Sequence, residues 1–248
     1  MSSYNPFSLE GKTILVTGAS SGIGRSTAIE CSKMGGKIIL NGRNLERLNE
    51  VLTNLDGEGH KIVSADVTRQ DDLDNLVNEC LPLNGVVICA GITKMLPTKL
   101  IKRDDINTIF ETNIASTMLL VGGLLKKKKI NPSSSIVFIS SIASQNASIG
   151  NGIYAASKGA LNSFVKVLAL ETANKNIRAN CILPGIVKTS MNEEGIKNGD
   201  YDDLAKKYPL GFGYPENIAK GVVFLLSDAS SWITGTNIVV DGGYSLNY

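Results

Sequence analysis

The chain has little of what metal and disulfide chemistry requires. Among 248 residues there is one histidine, His60, and the four cysteines, Cys31, Cys80, Cys89 and Cys181, form no C-x-x-C pair. No zinc pattern and no disulfide framework can be drawn from that spacing. No metal is therefore expected, and free thiols point to a reducing, cytoplasmic setting. Charge is also scarce: Asp, Glu, Lys and Arg are 19% of the chain and the net charge is +2, too weak a field for a nucleic-acid surface. No apolar run reaches the length of a membrane span, and the N-terminus lacks a charged-then-apolar signal pattern, so no membrane partner is expected. A Pro/Gly/Ser linker, a repeat and a low-complexity tract are all missing too. One domain over residues 1–248 is the expectation.

What the chain does have is an alternation of short apolar strands with helical patterns. Strands are expected at 12–16, 38–40, 62–63, 85–89, 135–139, 177–183 and 236–240, and helices at 23–34, 45–55, 71–80, 151–172 and 215–226. Residues 103–129 hold one long helix or two abutting ones. Such an order predicts an α/β fold: a Rossmann-type, doubly wound, seven-stranded parallel sheet with helices on both faces and a ligand crevice at the strands' C-terminal ends. Residues 188–213 break the pattern with polar, Gly-containing sequence. A loop of that length reads as a substrate lid, with Gly195 and Gly199 as hinges, or as an ordered surface excursion.

The first strand runs into Thr17-Gly18-Ala19-Ser20-Ser21-Gly22-Ile23-Gly24-Arg25. This is neither G-x-G-x-x-G nor a Gly-Lys-Ser/Thr loop, but its place between the first strand and first helix suits a pyrophosphate at a helix N-terminus. Gly18, Gly22 and Gly24 permit close approach, with Ser20, Ser21 and Ile23 beside them. Past the second strand, Asn41-Gly42-Arg43-Asn44 lacks the acid that bonds an adenosine ribose 2′-hydroxyl. Arg43, with Arg25, would instead pair with a 2′-phosphate, which favours NADP(H); otherwise Arg43 pairs with Glu46 on the surface. Asp66 either accepts a hydrogen bond from adenine or caps the next helix. After the fourth strand, Ala90-Gly91 is a second place where small residues admit a ligand.

Tyr154 and Lys158 are four apart, hence on one face of a helix. An ammonium beside a phenol favours phenolate, which would let Tyr154 act as acid or base. Ser141, at the end of the preceding strand, would bond the same substrate oxygen. Asn113 stands inside a helical stretch where Asn has poor propensity, and needs a local reason.

With these motifs the chain resembles the short-chain dehydrogenase/reductase family over essentially its whole length. The resemblance implies that the 17–24 turn holds the cofactor, that Asp66 and Val67 contact adenine, and that Pro184, Gly185, Ile186 and Thr189 line the nicotinamide side. Asn113, Ser141, Tyr154 and Lys158 correspond to the family's catalytic tetrad. Tyr154 then exchanges the proton, Ser141 orients the oxygen, Lys158 lowers the Tyr154 pKa and bonds the nicotinamide ribose, and Asn113 holds a water. One departure is Ile88-Cys89-Ala90-Gly91, where the family usually has Asn-Asn-Ala-Gly, so the bonds made by those Asn side chains must be replaced or lost. The segment between Asp66 and that strand is also short.

The resemblance is nearest to 3-oxoacyl-(acyl-carrier-protein) reductases, over residues 140–184 and 235–243. An acidic acyl carrier protein would then meet residues 127–129 and Lys175, although a Lys run also suits a solvated helix end. Sugar, polyol and steroid-like ketones remain alternative substrates, and a non-enzymatic NADP-binding sensor is the alternative from another class. Residues 103–129 and 151–172 are apolar over more than one helix face, so a homo-oligomer is expected, and the resemblance implies a tetramer.

Overall fold

The computed structural model describes residues 4–190, 192, 193, 198 and 201–247. Among these are seven strands: β1 (Thr13–Val16), β2 (Lys37–Gly42), β3 (Lys61–Ser64), β4 (Leu83–Ile88), β5 (Ile130–Ile139), β6 (Arg178–Pro184) and β7 (Asn237–Val240). They form one sheet in the order β3-β2-β1-β4-β5-β6-β7, and every neighbouring pair is parallel. The order reverses between β1 and β4, so chain connections leave in opposite directions there and open a crevice above their C-terminal ends.

The helices are α1 (Gly22–Lys33), α2 (Leu45–Leu52), α3 (Gln70–Glu79), α4 (Arg103–Phe110), α5 (Ser116–Lys126), α6 (Gly152–Thr172), α7 (Asp202–Ala205) and α8 (Pro215–Leu226). Alternate strand residues face opposite layers. Leu15, Val86, Ile136, Phe138 and Cys181 pack with α3, α5 and α6, whereas Ile14, Val16, Val87, Val137 and Ile182 pack with α1, α2 and α8. Burial on both faces explains why the strands read as continuous apolar runs. Local signals place the helix starts. Asn44 accepts the Arg47 N–H at 2.9 Å to cap α2, and Pro215 opens α8, where a missing N–H costs nothing.

Three differences from the expected elements have physical causes. β5 starts five residues before Ser135, because Ile130 pairs with Leu83 and the register then shifts to Gly85 opposite Ser135. Pro132 and Ser133, the latter at φ +61, lie in the bulged stretch and hide the strand from a periodicity reading. Asn41 and Gly42 belong to β2, since Asn41 Nδ2 donates to Val63 O (3.0 Å) and Ala65 O (3.3 Å) and so extends the edge with β3. Residues 103–126 are continuous, with a π-helical turn at Glu111–Ala115 joining α4 to α5. Arg103–Lys126 is therefore long and apolar enough to cross a membrane by length and composition, which the sequence reading did not register; one face of it packs into the fold, where Asn113, Ile114, Thr117, Leu120, Val121 and Leu124 are buried.

Phe138 is the largest fully buried side chain, at the centre of the α6 layer, with its ring edge-on to Phe164 at 6.2 Å. Phe138→Ala is expected to cost about 3–5 kcal/mol of unfolding free energy in urea titrations. A loss under about 1 kcal/mol would mean that the layer closes over the gap.

Candidate active site

The crevice is built first by the turn after β1. Gly18 has φ +64, and a Cβ on Gly24 would lie 2.2 Å from Gly18 O, so no side chain fits where α1 begins against the turn. The first turn of α1 has no side-chain cap and no acid, leaving its N–H groups facing the crevice. Thr17 ties the turn to β4: its Oγ1 donates to Val87 O (3.4 Å) and accepts from Cys89 N (3.1 Å) and Ala90 N (3.2 Å). This hydroxyl joins the two strands where Ile88-Cys89 replaces the family's Asn-Asn. Thr17 opens the glycine turn, but its reach to β4 leaves no mark in the spacing of the motif.

Just past β2, the Arg43 guanidinium lies 3.7 Å from Asp66 Oδ2 and is largely exposed. Glu46 is not the partner that the structure gives it. Asp66 does not cap the next helix, whose N-cap position is Arg69 with no side-chain bond; its Oδ1 instead closes a local turn, accepting from Thr68 N (3.0 Å) and Thr68 Oγ1 (2.7 Å). Burial would raise the Asp66 carboxyl, but these bonds and Arg43 outweigh it and hold it below the usual carboxylate range. Val67 follows at the same rim, half-buried, as are Ser20 and Ile23, while Ser21 and Arg25 are exposed.

At the other end, Gly91, Asn113 and Lys158 meet. A Cβ on Gly91 would lie 3.3 Å from Asn113 Oδ1 and 3.5 Å from Lys158 Nζ. Asn113 is in the π-helical turn, and this is the local reason for its presence. Its Oδ1 accepts from Ile92 N (2.8 Å), and Nδ2 donates to Ile92 O (2.9 Å) and to Ser157 Oγ (3.1 Å). Both N–H hydrogens are thus committed within the protein. Ser141, just past β5, accepts the Ala143 N–H at 3.1 Å and is hydrogen-bonded to the Tyr154 side chain.

Lys158 is buried and donates to Ile139 O at 2.8 Å, with Nζ 5.7 Å from the Tyr154 ring centroid. Burial pulls its pKa down from 10.5 to about 8. Burial also pushes the Tyr154 phenol above its usual 10, with the Ser141 bond working the other way. The Tyr154 direction is opposite to that predicted from the Tyr154–Lys158 spacing. Desolvation of the phenolate dominates here, and the ammonium lies against the ring while bonding a carbonyl. Burial raises Cys89 and Cys181 to about 12 and Cys80 to about 11, so none of these is a thiolate nucleophile at neutral pH. No cluster of metal-ligating side chains occurs among the described residues.

Pro184 ends β6, and Gly185 follows where a Cβ would lie 2.9 Å from the Tyr208 ring and 3.0 Å from Asp241 Cα. Ile186 N donates to Tyr208 Oη at 3.0 Å. Thr189 faces the glycine turn across the crevice, its Cγ2 3.3 Å from where a Gly22 Cβ would stand. Asn192, which the sequence reading passed over, wraps this segment: Oδ1 accepts from Thr189 N (3.1 Å) and Nδ2 donates to Val187 O (2.9 Å). The 188–213 excursion is pinned at its base by Lys188 N to Gly213 O (2.9 Å) and Gly213 N to Ile186 O (3.0 Å). Tyr208 stacks on Tyr244 at 4.5 Å and meets Phe212 edge-on at 5.1 Å, so the end of the excursion is anchored. Gly195 and Gly199 lie outside the described residues.

Uncapped helix N-terminus, small-residue turns and a Ser/Tyr/Lys/Asn group at one end of a doubly wound sheet define a dinucleotide-dependent oxidoreductase of the Rossmann type. Comparison with known proteins agrees. A family model described as enoyl-(acyl carrier protein) reductase matches residues 18–245. The 3-oxoacyl-(acyl-carrier-protein) reductase FabG of Rickettsia bellii is 34% identical over 236 residues, 95% of this chain and 97% of that protein. A solved short-chain dehydrogenase/reductase, glucose/ribitol dehydrogenase, from Brucella melitensis superposes with TM-score 0.91 at 30% identity, covering 97% of this chain and 99% of that one. A candidate NAD(P)-dependent gluconate 5-dehydrogenase from Beutenbergia cavernae, solved with bound NADP, has TM-score 0.89 at 28% identity over 98% of this chain and 100% of that one. The chain belongs to the short-chain dehydrogenase/reductase family.

The buried Lys158 gives a stability prediction with a definite sign. Its folded pKa of about 8 lies below the unfolded 10.5, so below pH 8 the folded state carries the whole burial penalty. Between pH 8 and 10.5 the unfolded state binds more protons and stability rises with pH. Lys158→Met should therefore raise the unfolding free energy at pH 7, and with it the urea midpoint, by up to roughly 3 kcal/mol less the lost Ile139 bond. The advantage should shrink by pH 10. An equal or lower midpoint at pH 7 would contradict the burial argument.

Proposed function

We propose that the protein transfers hydride between NADP(H) and a carbonyl or secondary-alcohol substrate. The observation that carries this reading is the convergence of Asn113, Ser141, Tyr154 and Lys158 beside the uncapped start of α1. The cradle fits a dinucleotide: Gly18, Ser20, Ser21, Gly22, Ile23 and Gly24 would take the pyrophosphate, Arg43 with Arg25 the 2′-phosphate, and Asp66 and Val67 the adenine. Ala90, Gly91, Pro184, Gly185, Ile186 and Thr189 would line the nicotinamide side. When bound, NADP(H) supplies the hydride.

The chain's own residues handle the proton. Tyr154 Oη donates to the substrate oxygen in reduction and accepts from it in oxidation, while Ser141 Oγ holds that oxygen in place. Lys158 bonds the nicotinamide ribose, and its charge next to the Tyr154 ring favours phenolate in competition with burial. Asn113 has no side-chain hydrogen left, so its main-chain carbonyl is the group that would hold a relay water. Residues before Tyr208 in the 188–213 excursion would cover the substrate, above the base anchored at Lys188 and Gly213.

Among substrates, a 3-oxoacyl thioester is supported by the FabG relatives. Docking of an acidic acyl carrier protein has weaker support. Lys127 donates to Asn78 Oδ1 and Lys129 to Asn78 O (3.0 Å) and Cys80 O (2.6 Å), closing the C-terminal end of α3. Exposed Lys126, Lys128 and Lys175 are left for a partner. A sugar or polyol substrate is the second reading, supported by the sugar and gluconate names of the matched structures and by Gln145 and Asn146 just beyond Ser141. The four free thiols suit a cytoplasmic setting.

A panel of carbonyl and alcohol substrates, each with NADPH/NADP and NADH/NAD, tests the reading and ranks the substrates; no turnover with any of them would favour a binding-only sensor. NADPH should bind more tightly than NADH, and Arg43→Asp should weaken NADPH by roughly 1.5–3 kcal/mol, the worth of a charge-assisted bond. Equal NADH affinity in the unmodified protein would remove the basis for Arg43. Tyr154→Phe should abolish turnover yet leave the NADPH dissociation constant essentially unchanged in a fluorescence titration.

Met118 and Leu119 on α5 and Val167 and Leu170 on α6 are exposed, Leu170 at 81%. We propose that these faces pair between copies, giving at least a dimer and, with a second interface, a tetramer. Light scattering at micromolar concentration should report twice the chain mass or more, and a monomer would refute the pairing.

A further inference from the structure

Ser157 stands between Tyr154 and Lys158 in sequence, and its side chain reaches from α6 to Asn113 in the π-helical turn. It is fully buried, at 0% exposure, and its hydroxyl joins two hydrogen bonds. Ser157 Oγ donates to Tyr154 O at 2.7 Å and accepts from Asn113 Nδ2 at 3.1 Å. The directions are forced, because an amide nitrogen only donates and the hydroxyl has a single hydrogen, which the carbonyl takes.

Asn113 is 1% exposed, and its remaining bonds go to Ile92, from N–H to Oδ1 and from Nδ2 to the carbonyl. Turning the carboxamide over would set oxygen against oxygen and N–H against N–H at Ile92, and would take the Ser157 hydrogen away from Tyr154 O. One orientation therefore survives, and it is held from two sides: by the loop after β4 and by the second turn of α6. Without the hydroxyl, an Nδ2 hydrogen would be buried with no acceptor, and the amide would relieve this by tilting. Any tilt would be felt at Asn113 O, which accepts from Thr117 Oγ1 at 3.3 Å within the π-helical turn.

We propose that Ser157 is a positioning residue of the reaction: it sets the Asn113 carboxamide, and thereby the Asn113 main chain, against the turn of α6 that carries Tyr154. The proposal rests on the tetrad reading above. It predicts that Ser157 acts through Asn113, which a general packing role would not require.

The test is a double-mutant cycle on the fastest substrate of the panel, with kcat, KM and the NADPH dissociation constant measured for each protein. Ser157→Ala should lower kcat on the order of tenfold, as expected for an orphaned buried donor, with NADPH affinity unchanged. The Ser157→Ala/Asn113→Ala protein should be no slower than Asn113→Ala alone. Should Ser157→Ala not fold, Ser157→Cys, with a weaker donor and acceptor of similar size, carries the same cycle. Losses that multiply, or a wild-type kcat in the Ser157 variant, would overturn the proposal while leaving the tetrad intact. A wild-type kcat in Asn113→Ala would overturn the tetrad reading and this proposal with it.

Discussion

Lys158 places an ammonium in the protein interior, where desolvation penalises it, and the carbonyl of Ile139 at the last residue of β5 receives it at 2.8 Å. That bond ties α6 to the end of the sheet at one defined height. Tyr154 one turn earlier and Asn162 one turn later then fall on the same side of the helix. Asn162 Nδ2 reaches Ser144 Oγ (2.8 Å), and Ser144 Oγ reaches Ser141 O (2.6 Å), so the turn that carries Ser141 is pinned to the same helix. A buried charge is a poor way to stabilise a fold, and its presence here is a sign of function.

The opposite wall depends on close backbone approach. α1 begins against Gly18 because residue 24 has no Cβ, and Thr17 laces β1 to β4 where the sheet order reverses. Between these walls the crevice receives Thr189 from the far side, opposite Gly22. These two residues are 167 positions apart in the chain, 189 less 22, and are brought together only by the fold.

A third anchor comes from the C-terminal segment. Asp241 accepts from Gly243 N (2.9 Å), Ser245 N (2.8 Å) and Ser245 Oγ (2.6 Å), and this turn presents Tyr244 for stacking on Tyr208. Tyr208 in turn holds Ile186 N. The chain end, the base of the 188–213 excursion and the segment after β6 are thus joined by direct contacts.

The order of strands and helices, the parallel sheet and the glycine turn were legible in the sequence, because each rests on local periodicity or on a backbone conformation that only certain residues adopt. Tyr154/Lys158 were legible too, since four residues of helix bring any such pair to one face. The bulged start of β5, with Pro132 and Ser133 inside it, was not, because its pairing with Leu83 is long-range. The partners of Asp66 and Arg43, the reach of Thr17 to β4 and the hold of Ser157 on Asn113 also escaped, as hydrogen bonds between distant segments leave no trace in spacing. The balance of burial against charge at Tyr154 and Lys158 belongs to the same class: residue types determine which groups titrate, but only the packed interior sets the desolvation that moves them.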